Sequence, residues 1–345
     1  MAINQNIMTK GNIVAFSDEA FAEASNLLKE ADPEFRFGTF IEGKGQQFDS
    51  WETRRHNETP PDWVIVELDK PYTPRYAEID TKWHLGNHAE YAAIYGLFQE
   101  RPDKPNRESN WETLLAKQKL EGHARNRFEL GYQKPLTHIL LENYPDGGIS
   151  RLRLFEEKPQ EAEGLWNQVI THTEPIPEAE AHPATEDVEV DESRWTELGP
   201  QGVNLARLDL GARIIDSSNN RYGDSLGLLS PSKPENMGDG WETARSRNTD
   251  SYQHVVIQLA KPAIIEALEL DFAYFIFNNP LEIEILGKND QGAWESLVPR
   301  KRSKEFAGET MVENSLPQIK CSQIQLRTYP CGGLNRLRVI GKPIH

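Results

Sequence analysis

The chain uses one short motif twice, and this repetition limits the folds open to it. Residues 49–55 read DSWETRR and residues 239–245 read DGWETAR, with five of seven positions identical. A second pair, YPDGGISRLRL at 144–154 and YPCGGLNRLRV at 329–339, shares seven of eleven residues. The two members lie 190 residues apart in the first pair and 185 in the second. Motifs that recur in the same order at nearly the same spacing indicate a duplicated unit the size of a domain.

The length agrees with two domains, since 345 residues are about twice a usual domain of roughly 150. We predict a first repeat at 1–157, an acidic connector at 158–194 and a second repeat at 195–345. Residues 156–193 contain twelve acidic residues and one lysine, so they bury little and are expected to be mobile. Within them only Trp166 is expected to dock. Residues 1–11 are predicted to be a disordered lead-in.

Short β-branched runs predict strands at 64–68, 77–81 and 137–141. A turn at 144–148 follows the third run, and its glycines can adopt positive φ between two strands. After it, Arg151 and Arg153 share one face of a strand while the leucines at 152 and 154 share the other. Many short strands with turn residues between them are typical of a β-sandwich. The segment 110–128 has a helical composition, and the choice between helix and strand plus loop is left open.

Charge and cysteine content exclude several classes of function. The formal charge of −16 argues against nucleic acid and anionic membranes, which need a basic footprint. The two cysteines, Cys321 and Cys331, are interpreted as cytosolic thiols, although ten residues could also close a disulfide hairpin. No run approaches 18 apolar residues, and the first residues lack an apolar signal region. We therefore expect a soluble, cytoplasmic protein that binds neither nucleic acid nor membranes.

The run NMGDGWETARSRN at 236–248 resembles a signature of the allantoicases, a family built from two such repeats. The resemblance covers nearly the whole chain except the connector. It implies an all-β fold of two similar jelly-roll, galactose-binding-like sandwich domains. It also implies hydrolysis of allantoate to ureidoglycolate and urea in purine and ureide catabolism, by a hydrolase acting on carbon–nitrogen bonds other than peptide bonds, in linear amidines. Two alternatives are a related ureide hydrolase with another substrate and a non-catalytic jelly roll that binds carbohydrates or other small ligands.

The substrate that the resemblance implies has one carboxylate and two ureido groups. Guanidinium groups bind carboxylates, and carboxylates accept hydrogen bonds from ureido N–H groups. The predicted catalytic residues are Glu52, Asp49, His123 and His84. The predicted substrate-binding residues are Arg54, Arg55, Asn87, Arg151 and Arg153 in the first repeat, and Asp239, Glu242, Arg245 and Arg247 in the second. The other interpretation of the Trp-Glu-Thr-Arg motif, as a structural device of the sandwich, stays open.

A metal is not required by the expected chemistry, because urea can depart with proton transfer before water adds to the central carbon. Asp80, His84 and His88 could bracket a divalent ion only on a helix, whereas their segment is predicted as strand and loop. No metal residue is assigned, and a divalent cation is left open as cofactor. 

The second repeat has DFAYFIFNN at 271–279 where the first has DTKWHLGNH at 80–88. These aromatic residues predict a filled or reshaped pocket, and a homo-oligomer could cover them. Whether one or both repeats act is left open, with the first favoured if only one does.

Overall fold

The computed structural model describes residues 5–99, 104–159, 166–177 and 202–344. Contacts divide the chain into two compact units, Met1–Thr39 with Gln46–Ile176, and Phe40–Gly45 with Pro177–His345. Most of the predicted connector, including His182, lies outside the described residues. The helices in the described part are short 3₁₀ turns: Ile7–Lys10, Ala24–Leu28, Leu208–Leu210, Ser225–Leu229, Met237–Asp239 and Lys304–Phe306. None of these is long and apolar enough to cross a membrane.

The first unit is an antiparallel sandwich. Its strands are β1 (Asn12–Phe16), β2 (Phe35–Ile41), β3 (Gly45–Phe48), β4 (Trp51–Glu52), β5 (Asp62–Tyr72), β6 (Tyr76–Asp80), β7 (Tyr91–Leu97), β8 (Glu112–Lys119), β9 (Ala124–Glu129), β10 (Leu136–Tyr144), β11 (Gly148–Ile149), β12 (Arg151–Phe155) and β13 (Val169–Thr171), except that the end of β2 and the first residue of β3 belong to Phe40–Gly45 of the other unit. One sheet has the order β1-β5-β10-β7-β8 and the other β12-β6-β9-β13. Fully buried side chains such as Val66, Ile79, Leu141 and Leu152 form the core. Alternation along these strands directs such residues inward.

The segment with helical composition is extended. Glu112–Lys119 and Ala124–Glu129 are strands, and each is paired within one of the two sheets. The tertiary pairing therefore overrides the helix propensity of these residues.

The first unit continues past the boundary predicted at residue 157. Val169–Thr171 adds an edge strand to β9, and the Trp166 indole, only 8% exposed, donates to the Phe128 carbonyl at 3.0 Å. The prediction that Trp166 docks is confirmed. The part of the acidic stretch at 166–177 is thus attached to the sheet, because its backbone pairs with an edge that β9 leaves open.

The prediction of a disordered lead-in is wrong for the described residues of that segment. Ile7–Lys10 forms a 3₁₀ turn whose Ile7 and Met8 side chains are buried in the core. The Asn6 carboxamide oxygen caps this turn and also accepts from the Leu154 backbone at 3.2 Å. Two apolar residues and one cap therefore order a segment whose sequence lacks periodicity.

The second unit repeats the sandwich. Its strands are β14 (Val203–Asn204), β15 (Arg213–Ser217), β16 (Trp241–Glu242), β17 (Gln253–Asp271), β18 (Glu282–Lys288), β19 (Trp294–Arg302), β20 (Thr310–Glu313), β21 (Lys320–Tyr329), β22 (Gly333–Leu334) and β23 (Arg336–Pro343). The strand order is β14-β23-β17-β21-β18-β19, and β15 and β20 also pair with β17. The prediction of two similar all-β jelly-roll domains is confirmed.

One difference between the units concerns the long strand β17. It runs through both layers, whereas the first unit divides the same stretch into β5 and β6. Pro74 stands at the break and has no N–H to donate, while the aligned Ile265 pairs with Gly341. A single proline thus accounts for the interruption.

Candidate active site

The two motifs that the sequence repeats lie side by side in each unit. In the first unit β4 pairs with β11, so that Glu52 lies opposite Gly148. In the second unit β16 pairs with β22, and Glu242 lies opposite Gly333. The recurrence of both motifs at similar spacing follows from this pairing, since each motif needs the other as its strand partner.

The tryptophan of each motif is structural. Trp51 and Trp241 are both fully buried, and their indole N–H groups donate to the carbonyls of Asp18 and Asn219 at 2.8 and 2.7 Å. A buried indole needs such a partner. The structural interpretation of the motif is therefore confirmed for its tryptophan.

The threonine and the first glycine of the Gly-Gly pair also have a structural role. The Thr53 hydroxyl accepts from the Gly147 N–H at 3.0 Å, and Thr243 accepts from Gly332 at 3.1 Å. Gly147 and Gly332 have φ values of +137° and +139°, a region that side chains rarely adopt. The predicted positive φ at this turn is confirmed for the first glycine of each pair.

The second glycine of each pair makes room for a ring. A Cβ on Gly148 would lie 2.3 Å from the His84 imidazole, and one on Gly333 would lie 2.2 Å from the Phe275 ring. Both rings are fully buried, and His84 also stacks on Phe48 with a centroid distance of 4.7 Å. Phe275 therefore occupies in the second unit the place that His84 has in the first, so an imidazole is replaced by a phenyl ring.

The glutamate of each motif is held by an asparagine. Asn87 Nδ2 donates to Glu52 Oε1 at 2.8 Å, and Asn278 Nδ2 donates to Glu242 Oε1 at 2.8 Å. Glu52 is 5% exposed and Asn87 3%. The Oδ1 atom of Asn87 is buried and accepts no hydrogen bond from the described residues. The site therefore presents a fixed carboxyl group next to a buried amide oxygen.

The arginine after the threonine differs between the units. Arg54 Nε donates to Asp18 Oδ2 at 2.6 Å, and the Arg54 side chain is 49% exposed. In the second unit Ala244 stands at this position, and its backbone N–H donates to Asn219 Oδ1 as that of Arg54 does to Asp18. The guanidinium is thus an addition of the first unit to a backbone arrangement that both units share.

Arg151 is committed to internal hydrogen bonds. It is fully buried and donates to the carbonyls of Ala31, Asp49 and Ser150 and to the Asp49 carboxylate, at distances of 2.6 to 2.9 Å. Although burial raises the pKa of Asp49, the hydrogen bonds from Lys29 and Arg151 lower it below its ordinary value of 3.8. Asp49 is therefore a carboxylate with both oxygens bound, which makes it a poor proton donor.

Arg153 is also ion-paired. Its Nη1 lies 2.9 Å from Glu78 Oε1 and 3.3 Å from Asp80 Oδ2, and its side chain is 9% exposed. Arg55 and Arg245, which align in the two motifs, are buried as well, with 4% and 9% exposure. Of the four predicted carboxylate-binding arginines of the first unit, only Arg54 has a side chain that is about half exposed.

Both ring nitrogens of His123 have partners. Nδ1 accepts from the Trp83 backbone N–H at 3.0 Å, and this assigns the proton to Nε2, which donates to the Glu174 carbonyl at 3.0 Å. Burial lowers the pKa of His123, so the neutral form is favoured. The predicted role of His123 in proton transfer would require one of these bonds to break.

Within the described residues no group of three His, Cys, Asp or Glu side chains converges as a metal site. Asp80 bonds to His172 Nε2 at 2.9 Å. His84 packs against Phe48.

The other residues predicted for the second unit, Asp239, Arg247 and Glu242, have different surroundings. Asp239 Oδ2 accepts from the backbone of Glu235 and Asn236 and caps a 3₁₀ turn. Arg247 is partly buried. Only Glu242 has the same carboxamide partner as its counterpart in the first unit.

The aromatic run of the second unit needs no second subunit to cover its largest members. Phe272 and Phe275 are fully buried in the chain, whereas Tyr274 and Ile276 are 41% and 43% exposed. The argument for a homo-oligomer from Phe272 and Phe275 is therefore not supported.

Asp18 and Asn219 are site residues that the sequence did not reveal. In each unit this residue accepts hydrogen bonds from the tryptophan indole and from the backbone N–H two residues after the glutamate. Asp18 and Asn219 lie 201 residues apart, whereas the two Trp-Glu-Thr motifs lie 190 residues apart. The N-terminal parts of the two repeats align loosely, so a fixed offset could not find these two residues. The pair of motifs SDEA at 17–20 and SNNR at 218–221 was the available signal.

Asp62 should make the stability of the fold depend on pH. Its carboxyl group is 3% exposed and accepts from Ser17 Oγ at 2.8 Å, and burial raises its pKa from 3.8 to about 6. Between these values the unfolded state releases the proton and the folded state keeps it. The contribution of Asp62 is therefore fully present below pH 3.8 and is lost as the pH rises through 6.

We expect the stability of the wild type relative to Asp62→Asn to fall by about 2–3 kcal/mol between pH 4 and pH 7. Guanidinium denaturation of both proteins at several pH values measures this difference. Other carboxylates such as Asp49 affect both proteins equally, so their effects cancel when the stability of Asp62→Asn is subtracted from that of the wild type. A difference that does not change with pH would contradict the assignment.

The known proteins that this chain is similar to include several members of one family. The model of the allantoicase repeat matches residues 5–160 and 203–344. A probable allantoicase of Nocardia farcinica is 34% identical over 96% of this chain and 91% of its own length. The allantoicase of Neurospora crassa is 32% identical over 96% and 88%. The crystal structure of the Saccharomyces cerevisiae allantoicase is 29% identical, covers 98% of this chain and 93% of its own, and has a TM-score of 0.39. With the repeat model matched twice and both motifs paired in each unit, the chain belongs to the allantoicase family.

Proposed function

We propose that this protein hydrolyses allantoate to ureidoglycolate and urea in purine and ureide catabolism. The names of its relatives support this reaction, since they are called allantoicases. The reaction makes it a hydrolase of carbon–nitrogen bonds other than peptide bonds, in linear amidines. The free thiols of Cys321 and Cys331 fit a reducing compartment, and we propose the cytoplasm as its place of action.

We propose that the first unit carries the reaction. One observation supports this choice: both units have a glutamate held by an asparagine, but only the first adds a half-exposed guanidinium two residues later. Glu52 is the group for proton transfer, and Arg54 binds the substrate carboxylate. Asp18 accepts from Nε and lies beside Nη2 of Arg54, which fixes this guanidinium while about half of the side chain stays exposed.

The reaction then needs one carboxyl group in two roles. Glu52 in its acid form donates a proton to the ureido nitrogen that leaves, and the bond between this nitrogen and the central carbon breaks to release urea. The nitrogen of the second ureido group shares its lone pair with the central carbon. Water adds to that carbon and gives its proton to the Glu52 carboxylate. The atoms balance, because one water is consumed and Glu52 returns to its acid form.

Asn87 orients this carboxyl group. Its Nδ2 donates to Glu52 Oε1 and fixes it, while its own Oδ1 is enclosed by the protein. Gly148 fixes the backbone of Asn87, since its N–H donates to the Asn87 carbonyl at 2.9 Å, and the His84 ring packs against Gly148. In this proposal His84, Asp49, Arg151 and Arg153 position the site and do not contact the substrate.

The test is to incubate the purified chain with allantoate and to measure urea and ureidoglycolate together. Equal amounts of both products are expected. Parallel reactions with ureidoglycolate as substrate, and with protein treated with EDTA, separate a related ureide hydrolase and a requirement for a cation. Folded protein that releases no urea from allantoate would refute the proposed reaction.

Compared with Asp18→Asn alone, the double variant Asp18→Asn/Arg54→Ala should weaken substrate binding with little effect on the fold. The double substitution reproduces Asn219 and Ala244 of the second unit, where the same backbone hydrogen bond is kept without the guanidinium. Loss of a charge-assisted hydrogen bond to a carboxylate is worth about 1.5–3 kcal/mol, so KM is expected to rise roughly 10- to 100-fold. Steady-state kinetics and a thermal melt measure both effects. An unchanged KM would remove Arg54 from the binding site.

A further inference from the structure

A cavity in the second unit lies where the first unit has a lysine. In the first unit Lys29 follows the turn Ala24–Leu28, and its Nζ lies 2.6 Å from Asp49 Oδ1. In the second unit the equivalent turn, Ser225–Leu229, is followed by Ser230. The shorter side chain leaves an open cavity of about 330 Å³ beside Ser230.

A buried arginine with an unused nitrogen lines this cavity. Arg336 is 2% exposed and repeats most of the contacts of Arg151: Nε donates to the Ser232 carbonyl, and Nη1 donates to the carbonyls of Asp239 and Asn335. In the described part of the chain, however, Nη2 of Arg336 has no hydrogen-bond partner. The corresponding Nη2 of Arg151 donates to the Asp49 carboxylate.

The reason for this difference is the position of the Asp239 carboxylate. Its Oδ2 accepts from the backbone N–H groups of Glu235 and Asn236, as part of a capping box at the turn Met237–Asp239. The carboxylate therefore caps the turn and does not reach Arg336. Burial lowers the pKa of Arg336, which agrees with a guanidinium that is incompletely solvated.

The chemistry of the cavity wall defines a class of ligand. The cavity is lined by Arg336, by the acidic residues Asp224 and Asp239, which also cap the turns beside it, and by the apolar residues Leu208, Leu226 and Pro231. Carboxylates beside the guanidinium disfavour an anion such as phosphate. A neutral group with one acceptor oxygen and several N–H donors matches both signs, because its oxygen can accept from Arg336 and its N–H groups can donate to the carboxylates.

We propose that this cavity is a binding site for a neutral ureido compound, separate from the reacting groups of the first unit. Its carbonyl oxygen accepts from Arg336 Nη2, and its N–H groups donate to Asp239 and Asp224. The inference does not depend on the proposed reaction, since it follows from the cavity of the second unit alone.

The test uses hydantoin, a neutral cyclic ureide, and titrates it into the full chain by ligand-observed NMR. Saturable binding with a Kd of roughly 1 mM or lower is expected. The variant Ser230→Lys restores the lysine of the first unit, pairs with Asp239 and fills the cavity, so it should weaken binding at least 10-fold. Lys29→Ser is the matched control and should leave binding unchanged, because Asp49 still pairs with Arg151.

Further binding measurements distinguish this cavity from other binding sites on the chain. Glu52→Gln should bind hydantoin like the wild type, and 1,3-dimethylhydantoin, which has no N–H group, should bind at least 10-fold more weakly. The proposal is overturned by no saturable binding, or by binding that Glu52→Gln abolishes and Ser230→Lys retains. Stronger binding of methylammonium than of hydantoin would equally refute it, since the cavity would then be a cation site that lacks its lysine.

Discussion

Replacing Glu52 by Gln is expected to lower kcat at least 100-fold and to leave the fold intact. The glutamine can still accept from Asn87 Nδ2, which lies 2.8 Å from Glu52 Oε1, but it cannot deliver or take a proton. General acid–base groups contribute typically about 10²–10⁴ in rate, and the loss should appear in kcat with KM little changed. Product formation from allantoate measures it, with the thermal melt as a check on folding.

The second unit supplies the control for this experiment. Glu242 has the same bond to Asn278 at the same distance, yet Ala244 and Phe275 stand where the first unit has Arg54 and His84. Glu242→Gln should therefore reduce kcat less than 3-fold, a small effect beside the range for a proton-transfer group. Equal losses in both variants would mean that both units act. A loss in Glu242→Gln alone would move the reaction to the second unit.

Arg151→Met should destabilise the first unit by about 3–5 kcal/mol. The guanidinium is fully buried and donates to three backbone carbonyls and to the Asp49 carboxylate. Methionine fills much of the volume but donates nothing, so these acceptors lose their partner and Asp49 keeps a partly buried charge. Guanidinium denaturation of the variant and the wild type measures the loss of stability. Hydrogen exchange of the β12 amides shows whether the loss lies in the first unit.

Arg336→Met is the matched variant and should cost less, about 1–3 kcal/mol. Its three hydrogen bonds go to backbone carbonyls, and no described carboxylate depends on it for an ion pair. If Arg151 instead held the substrate carboxylate, Arg151→Met would be as stable as the wild type and would raise KM. That result would identify Arg151 as a residue that binds the substrate.

The neighbouring strands determine the structure of the segment with helical composition, residues 110–128. Residues 112–119 pair with β7, and 124–129 pair with β6, so both ends of the segment lie in sheets. Helix propensity acts over a few residues, whereas strand pairing joins residues that are distant in sequence, and here the pairing prevails. The same applies to Met8, whose burial depends on strands that follow it by more than 50 residues.

The sequence by itself determined the duplication, the strand-rich character and the two motifs that meet in each unit, because identical residues at nearly constant spacing and alternating apolar residues are visible without coordinates. It did not separate Arg54 from Arg151, since both are arginines next to repeated motifs. Only the tertiary structure shows that Asp18 holds a half-exposed Arg54, while Asp49 and three carbonyls enclose Arg151. Partners 36 and 102 residues away along the chain decide whether a guanidinium is half exposed or fully enclosed. Strand pairing brings those partners together, and it leaves no local signature at the arginine itself.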